Sequence, residues 1–296
     1  MWDVGEIAQI MIKRILIGCI GTLATFGTGV AAQSVSPEKG ALVVVGGGRI
    51  GSDILNRFLE LAGGKDAPIV VIPTAGEDSV YTQTCTCLNV LRGAGATNLT
   101  VLHTKDPKVA DSEEFVAPLR NARGVWFPGG RQWRLADSYL RTRTERELRA
   151  VLERGGVIGG TSAGASIQAS YLVRGAPEGN TIMMAPGHEE GFGYLRDVAV
   201  DQHVLARNRL NDLPTVLARY PSLLGIGIDE GTAIVVHRDT AEVLGASKVF
   251  IYGSRDGTDA GKPYLSLGTG ERYDLRARRR VEGARAKSEE RRGGTR

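Results

Sequence analysis

The chain has 296 residues, of which 42% are hydrophobic and 24% are charged, and its formal net charge is +4. This length and composition are typical of a globular protein with one or two domains and exclude a mainly disordered chain. Residues 276–296 contain nine Lys and Arg and three Glu, a net charge of +6, so residues 1–275 carry −2. The basic charge therefore belongs to a tail, and the rest of the chain shows no nucleic-acid-binding pattern.

The N-terminal region has the three parts of a secretory signal peptide. Two basic residues after Met11 precede an apolar run at 15–24, and small residues follow as far as Ala32. We expect a signal peptide over residues 1–32, with Met11 as an alternative start of translation, and a linker over 33–40. The mature protein would then be secreted or periplasmic, with no membrane segment after cleavage.

Short apolar runs alternate with helical patterns from Ala41 onward. Five runs predict strands, at 41–48, 67–77, 99–103, 124–130 and 155–160. Strands separated by helices in this way indicate an α/β fold with a parallel sheet covered on both faces.

The pattern becomes less regular after Ser170. It predicts a strand running into a helix over 195–221, a tight β-pair over 223–237 with its turn at "DEGT", and a last strand at 248–253. With no linker to split the chain, we expect one domain over 41–270 and a basic, disordered tail over 271–296.

The segment "GGGRIG" at 46–51 matches the G-x-G-x-x-G pattern of a dinucleotide-binding turn. The acidic residue that should end the second strand is missing, because that strand runs into "IPTAGED". A tight turn near a pocket is the simpler interpretation, and a nucleotide-binding protein remains an alternative. Cys85 and Cys87 are too close together to form a disulfide framework, and we expect them to pack in a helix.

The segment "GGTSAGA" places Ser162 in a G-x-S-x-G motif between a predicted strand and a predicted helix. A nucleophile elbow needs small residues on both sides of the serine, because the sharp turn brings the backbone against neighbouring elements. The following N–H groups, starting at Ala163, could stabilise an oxyanion. A backbone N–H from Gly129 or Gly130, in "FPGGRQ", could complete that site, and Gln132 could reach substrate.

A nucleophilic serine needs a base, and His203 is the best placed of the four histidines. It follows a predicted strand and lies in a polar cluster that also contains Asp201, Gln202, Arg207 and Arg209. The base needs an orienting carboxylate, and two candidates remain open on spacing alone. Glu230 lies in the turn "GIDEGT", and Glu178 lies sixteen residues after Ser162.

Five ordered motifs resemble those of the cyanophycinase and peptidase E family of serine peptidases. They are "IPTAGE", "FPGGRQ", "GGTSAGA", "DQHxxxRxR" and "GIGIDEGTA", and the resemblance runs from about Ala41 to Tyr252. It implies a single flavodoxin-like domain related to class I glutamine amidotransferases. It also implies hydrolysis of aspartyl bonds. We expect no metal, since no cluster of His, Cys and carboxylate residues has the spacing of metal ligands, and no cofactor.

The resemblance implies roles for residues at the matching positions. Ser162 would be the nucleophile and His203 the base, with Glu230 as the preferred triad acid and Glu178 as its rival. Substrate contacts would come from Thr74, Gln132, Asp201, Gln202, Arg207 and Arg209. Asp212 stands where cyanophycinases usually carry a third arginine.

The "DQH" motif favours the cyanophycinase branch, whose members release β-aspartyl-arginine dipeptides from an arginine-decorated polyaspartate called cyanophycin. The expected partner is therefore this polymer or an aspartyl peptide, with no nucleic acid, and we also consider a homodimer. The alternatives are an aspartyl or isoaspartyl dipeptidase of the same family, and a non-catalytic protein that binds polymer, peptide or nucleotide.

Overall fold

The computed structural model describes residues 34–282. Within that range the predicted α/β fold is confirmed, with five adjacent parallel strands that form one side of a nine-stranded sheet. The strands of the parallel part are β1 (Ala41–Val45), β2 (Ile69–Val71), β3 (Leu99–Val101), β4 (Gly124–Phe127) and β5 (Val157–Thr161). Their order across the sheet is β3-β2-β4-β5-β1, so all five carboxyl ends lie at one edge.

Helices between these strands cover the sheet. They are α1 (Ser52–Ala62), α2 (Asn89–Gly93), α3 (Pro107–Ala110), α4 (Glu113–Asn121), α5 (Gln132–Tyr139) and α6 (Arg143–Glu153). Helix α1 shows why they pack in this way: Ile54, Leu55, Phe58 and Leu59 recur on one face and are buried against the sheet. The core has a cluster on each face of the sheet, as expected for buried parallel strands.

A second sheet of five strands follows a short helix, α7 (Ala163–Ser166). Its first three strands are parallel, the fourth is antiparallel to the third, and the fifth is antiparallel to the fourth. The strands are β6 (Ala169–Tyr171), β7 (Leu195–Gln202), β8 (Leu224–Ile228), β11 (Val249–Tyr252) and β12 (Leu265–Leu267), with α8 (Leu213–Arg219) between β7 and β8.

The predicted β-pair over 223–237 is wrong in one respect. Strand β8 belongs to the second sheet, whereas the following strand, β9 (Thr232–His237), pairs with β1 in the first sheet. The chain changes sheets at Asp229–Gly231, and the side chain of Asp229 holds this crossing. It accepts hydrogen bonds from the N–H groups of Leu205 and Ala206 and from the hydroxyl of Ser247.

The boundary expected between domain and tail at residue 271 is also wrong. Three more antiparallel strands extend the first sheet beyond β9, namely β10 (Thr240–Gly245), β13 (Arg272–Asp274) and β14 (Arg279–Arg280). Tyr273 and Leu275 are fully buried, so this segment belongs to the core. The predicted signal peptide and the rest of the tail, residues 283–296, lie outside the described residues.

Cys85 and Cys87 do not pack in an α-helix. They flank the start of a short 3₁₀ helix (Thr86–Leu88) and are joined by a disulfide. Within residues 34–282, no helix is long and apolar enough to cross a membrane.

Candidate active site

Ser162 occupies a sharp turn between β5 and α7, as expected for a nucleophile elbow. Its φ of 55° and ψ of −113° form a strained conformation for a residue other than glycine. The surrounding backbone leaves no room for larger neighbours. A Cβ on Gly160 would lie 2.3 Å from the Gly164 carbonyl oxygen, and one on Gly164 would lie 2.1 Å from the Phe127 oxygen. The glycines of the motif are therefore required by close packing.

His203 faces Ser162 from the end of β7 in the second sheet. Its backbone N–H donates to Gly46 O over 2.9 Å, which ties the end of β7 to the end of β1. Its Nε2 lies 2.9 Å from Ser162 Oγ. This distance is that of a good hydrogen bond, so the imidazole can accept the serine proton.

Glu230 lies at the crossing between the two sheets and completes a row of three side chains, Ser162, His203 and Glu230. Its Oε1 lies 2.5 Å from His203 Nδ1. A carboxylate only accepts, so Nδ1 carries a proton and Nε2 of the neutral ring is free to accept from Ser162. Burial lowers the pKa of His203 below that of a free histidine, and Arg207 and Arg209 lower it further, against the opposing effect of Glu230. The ring is therefore neutral, and able to act as a base, at neutral pH.

Glu178, the rival acid, lies elsewhere. It is exposed in the loop between β6 and β7, and within the described part of the chain its carboxylate has no hydrogen bond or ion pair. The geometry therefore favours Glu230.

The turn at 46–48 packs directly against this row. A Cβ on Gly47 would lie 2.1 Å from His203 Cε1, and one on Gly48 would lie 2.7 Å from Glu230 Cβ and Oε2. The face that a dinucleotide pyrophosphate would approach is thus filled by His203 and Glu230. This packing explains the glycine cluster without a nucleotide, and the sequence pattern alone did not reveal it.

Three backbone N–H groups lie where an oxyanion could form. Gly129 follows β4 next to Ser162, and a Cβ on it would be 3.7 Å from Ser162 Oγ. Gly130 has a φ of 143° and packs against the Ala75 carbonyl, which fixes this loop. The N–H groups of Gly129, Gly130 and Ala163 have no acceptor among the described residues. They remain available to a developing negative charge.

Two of the expected substrate-binding residues are used by the fold itself. Thr74 is fully buried and hydrogen-bonds to His103 Nδ1 over 2.8 Å and to the Tyr139 hydroxyl over 2.6 Å. Asp201 is fully buried and forms a bidentate ion pair with Arg174. Neither side chain can reach a substrate in this conformation.

Of the other four candidates, three are buried and hydrogen-bonded within the protein, and Arg207 is exposed. Gln132 is buried at the start of α5 and donates to Val173 O over 2.9 Å. Gln202 and Arg209 are buried together, with Arg209 Nη1 donating to the Gln202 side chain over 3.2 Å. Arg207 is exposed, and it has no ion pair within residues 34–282.

Sequence reasoning missed Asp229 and Arg174, which hold the ends of β8 and β7 through hydrogen bonds and ion pairs. The signal for Arg174 was a lone arginine in the otherwise apolar run "YLVRGA". The described residues include no group of three His, Cys, Asp or Glu side chains that could hold a metal ion.

Comparisons with known proteins point in the same direction as this geometry. The family model for Peptidase family S51 matches residues 42–244. Cyanophycinase from Synechococcus elongatus is 35% identical over 236 residues, which cover 75% of this chain and 70% of that protein. Cyanophycinase from Geminocystis herdmanii is 32% identical over 219 residues, which cover 72% and 80% of the two chains.

Two solved structures resemble the fold. A peptidase from an acI-B1 Actinobacterium has a TM-score of 0.62 and 25% identity, covering 81% of this chain and 98% of its own. A putative peptidase E protein from Listeria monocytogenes has a TM-score of 0.51 and 17% identity, covering 71% and 100%, and supports the fold alone. With the match of the family model, these similarities show that the chain belongs to Peptidase family S51, whose members are serine-type peptidases.

Proposed function

We propose that this peptidase hydrolyses aspartyl bonds through an acyl-enzyme, with Ser162 as nucleophile, His203 as base and Glu230 as orienting acid. One observation carries the proposal, the continuous row from Ser162 Oγ through His203 to Glu230 Oε1, with separations of 2.9 and 2.5 Å. Nucleophile, base and orienting carboxylate within hydrogen-bond reach are the signature of an activated serine.

Each proton has a donor and an acceptor in this mechanism. Ser162 Oγ attacks the aspartyl carbonyl while its proton passes to His203 Nε2, and Glu230 stabilises the imidazolium through Nδ1–H. The N–H groups of Ala163, Gly129 and Gly130 bind the oxyanion. His203 then protonates the leaving amine as the C–N bond breaks, which leaves an ester on Ser162. A water gives its proton to His203 and attacks the ester, and the serine recovers its proton as the acid product leaves.

The substrate we favour is the arginine-decorated polyaspartate that gives cyanophycinases their name, with release of β-aspartyl-arginine. The cyanophycinase relatives support this substrate, and the exposed guanidinium of Arg207 near His203 could bind a substrate carboxylate. We assign Gln132, Gln202 and Arg209 to the wall of the substrate pocket. Asp212 makes an aspartyl dipeptide the second candidate, because it stands in place of the usual third arginine and its carboxylate pairs with Arg174.

Profiling three substrates tests the proposal: the polymer, β-aspartyl-arginine and an α-aspartyl dipeptide. We expect the polymer to be cleaved fastest, and Ser162→Ala to abolish cleavage in folded protein. Ser166→Ala is the matched control, because Ser166 lies one turn further along the same segment, is fully buried, and its hydroxyl has no hydrogen-bond partner within residues 34–282. Turnover of Ser162→Ala at a rate near that of Ser166→Ala would contradict the proposal.

We further propose that residues 1–32 direct export to the periplasm or the medium, which rests on the sequence pattern alone. N-terminal sequencing of protein recovered outside the cytoplasm should begin near Gln33. Recovery of the full-length chain only from the cytoplasm would contradict export.

A further inference from the structure

Arg174 is a buried arginine outside the proposed triad. It follows β6 in the loop that leads to β7, and only 2% of its surface is exposed. Its φ of 56° is unusual for a residue other than glycine. A buried charge is costly unless it is fully paired, so the partners of this guanidinium indicate what it holds in place.

All three guanidinium nitrogens have acceptors. Nε and Nη2 donate to the two carboxylate oxygens of Asp201 over 2.9 and 3.1 Å, in a bidentate pair. Nη1 donates to Asn180 O over 2.8 Å, and Nη2 also contacts Asp212 Oδ2 at 2.5 Å. The guanidinium thus joins its own loop to the end of β7 and to the residue before α8.

Asp201, the acidic member of the bidentate pair, lies two residues before His203. Asp201 Oδ1 also accepts from the N–H of Gln202 over 3.0 Å. Arg209 acts from the other side, because its Nη1 donates to Gln202 O over 3.1 Å and lies 3.7 Å from Asp201 Oδ1. Two arginines therefore fix the dipeptide that leads into His203.

His203 itself needs such support. Its φ is 57°, and a residue other than glycine keeps such a conformation only where its surroundings impose it. Its ring must reach Ser162 and Glu230 together, and a shift of about 1 Å would break one of these bonds. The planar fork of an arginine fixes both the position and the orientation of a carboxylate, whereas the point charge of a lysine fixes the position alone.

We propose that Arg174 is a positioning residue for His203, and that its bidentate pair with Asp201 holds the imidazole within hydrogen-bonding distance of Ser162. The inference rests on the proposed roles of Ser162 and His203. A purely structural ion pair would affect stability alone. A positioning role predicts that the planar guanidinium fork of Arg174, and not only its charge, sets the reactivity of Ser162.

The test compares Arg174→Lys with wild type in two measurements on the full chain. One is the rate at which a fluorophosphonate probe labels Ser162, and the other is the low-field proton NMR signal of His203 Nδ1–H bonded to Glu230. We expect labelling of the folded variant to slow by about ten- to a hundred-fold, with the NMR signal shifted or lost; the unfolding temperature should also fall, because a lysine cannot satisfy all the acceptors of the guanidinium. The matched control is Arg146→Lys, in an exposed pair with Asp111 over 3.2 Å, which should leave both measurements unchanged.

A second variant covers the case in which Arg174→Lys does not fold. Arg174→Met with Asp201→Asn removes both members of the bidentate pair, while Arg209 keeps its hydrogen bond to Gln202 O and the partly exposed Asp212 can be hydrated, and we expect the same slow labelling. Labelling within two-fold of wild type in every folded variant, with an unchanged NMR signal, would overturn the proposal. If wild type itself is not labelled, the proposed nucleophile is wrong. The NMR signal then decides the role of Arg174, because an unchanged signal in the variants would overturn it.

Discussion

Gly47→Ala should disable the site without unfolding the protein. The added Cβ would lie 2.1 Å from His203 Cε1 and 2.6 Å from both ring nitrogens. Ordinary van der Waals contact begins at 3.4 Å, so the imidazole would have to move by about 1.3 Å. The Ser162 Oγ–His203 Nε2 separation of 2.9 Å would then exceed the range of a hydrogen bond.

The expected loss follows from that displacement. Losing a positioned general base costs about 10²–10⁴-fold in rate. The backbone adds a separate penalty, because Gly47 has a φ of +112°, which an alanine adopts only with strain of about 1–3 kcal/mol in the free energy of unfolding. Most of the effect should therefore appear in the rate, since the clash is with a side chain that can move.

Gly64→Ala is the control that separates backbone strain from the clash with His203. Gly64 has nearly the same φ, +111°, but a Cβ there would meet nothing within 4 Å. We expect both variants to lose similar thermal stability, and only Gly47→Ala to lose fluorophosphonate labelling and aspartyl-bond hydrolysis. If Gly47→Ala labels as fast as Gly64→Ala, the assigned position of the base is wrong.

Three further predictions concern the same site. Glu230→Gln should lower kcat by about 10³–10⁴-fold, because the amide cannot hold the required tautomer of His203, whereas Glu178→Gln should leave kcat unchanged; the opposite pattern would reverse the assignment. The value of kcat/KM should rise as the pH rises through the pKa of His203, because the neutral ring is the base and the ring is neutral above that pKa. Burial lowers this pKa, so the midpoint should fall below about 6.5, and a midpoint above that value would refute the assignment. Thr74→Val should lower the free energy of unfolding by about 1–3 kcal/mol, because it removes the hydrogen bonds of the Thr74 hydroxyl to the buried Tyr139 hydroxyl and to the half-buried His103; a rise in KM without a loss of stability in urea unfolding would instead support a substrate contact.

The part of the fold that could be predicted is the part that follows local periodicity. Five apolar runs separated by helical patterns indicated the parallel strands, and "GGTSAGA" indicated the turn at Ser162. The change of sheets at Glu230 could not be predicted, because two adjacent apolar runs with a short turn indicate a hairpin equally well. Only the long-range bonds of Asp229 and the pairing of β9 with β1 separate these alternatives.

The candidate site was predictable to a similar degree. Ser162 and His203 are far apart in the sequence, and strand-end position indicated both as candidates; for the acid, position left Glu230 and Glu178 open, and the family resemblance gave the preference for Glu230. Which polar residues are buried was not predictable: Thr74 and Asp201 lie in or near the ends of predicted strands, where a substrate could reach them, yet their hydrogen bonds are made within the protein. The predicted start of the tail at residue 271 was wrong for a related reason. Tyr273 and Leu275 are isolated apolar residues in a basic segment, and they are buried only because the segment pairs with the sheet.

The most direct test of the central claim is mass spectrometry of the protein after fluorophosphonate treatment, combined with an assay of residual aspartyl-bond hydrolysis. We predict one adduct per chain, located on Ser162, with loss of hydrolysis in proportion to labelling and no adduct in Ser162→Ala. An adduct on another residue, or hydrolysis that persists in fully labelled protein, would contradict it.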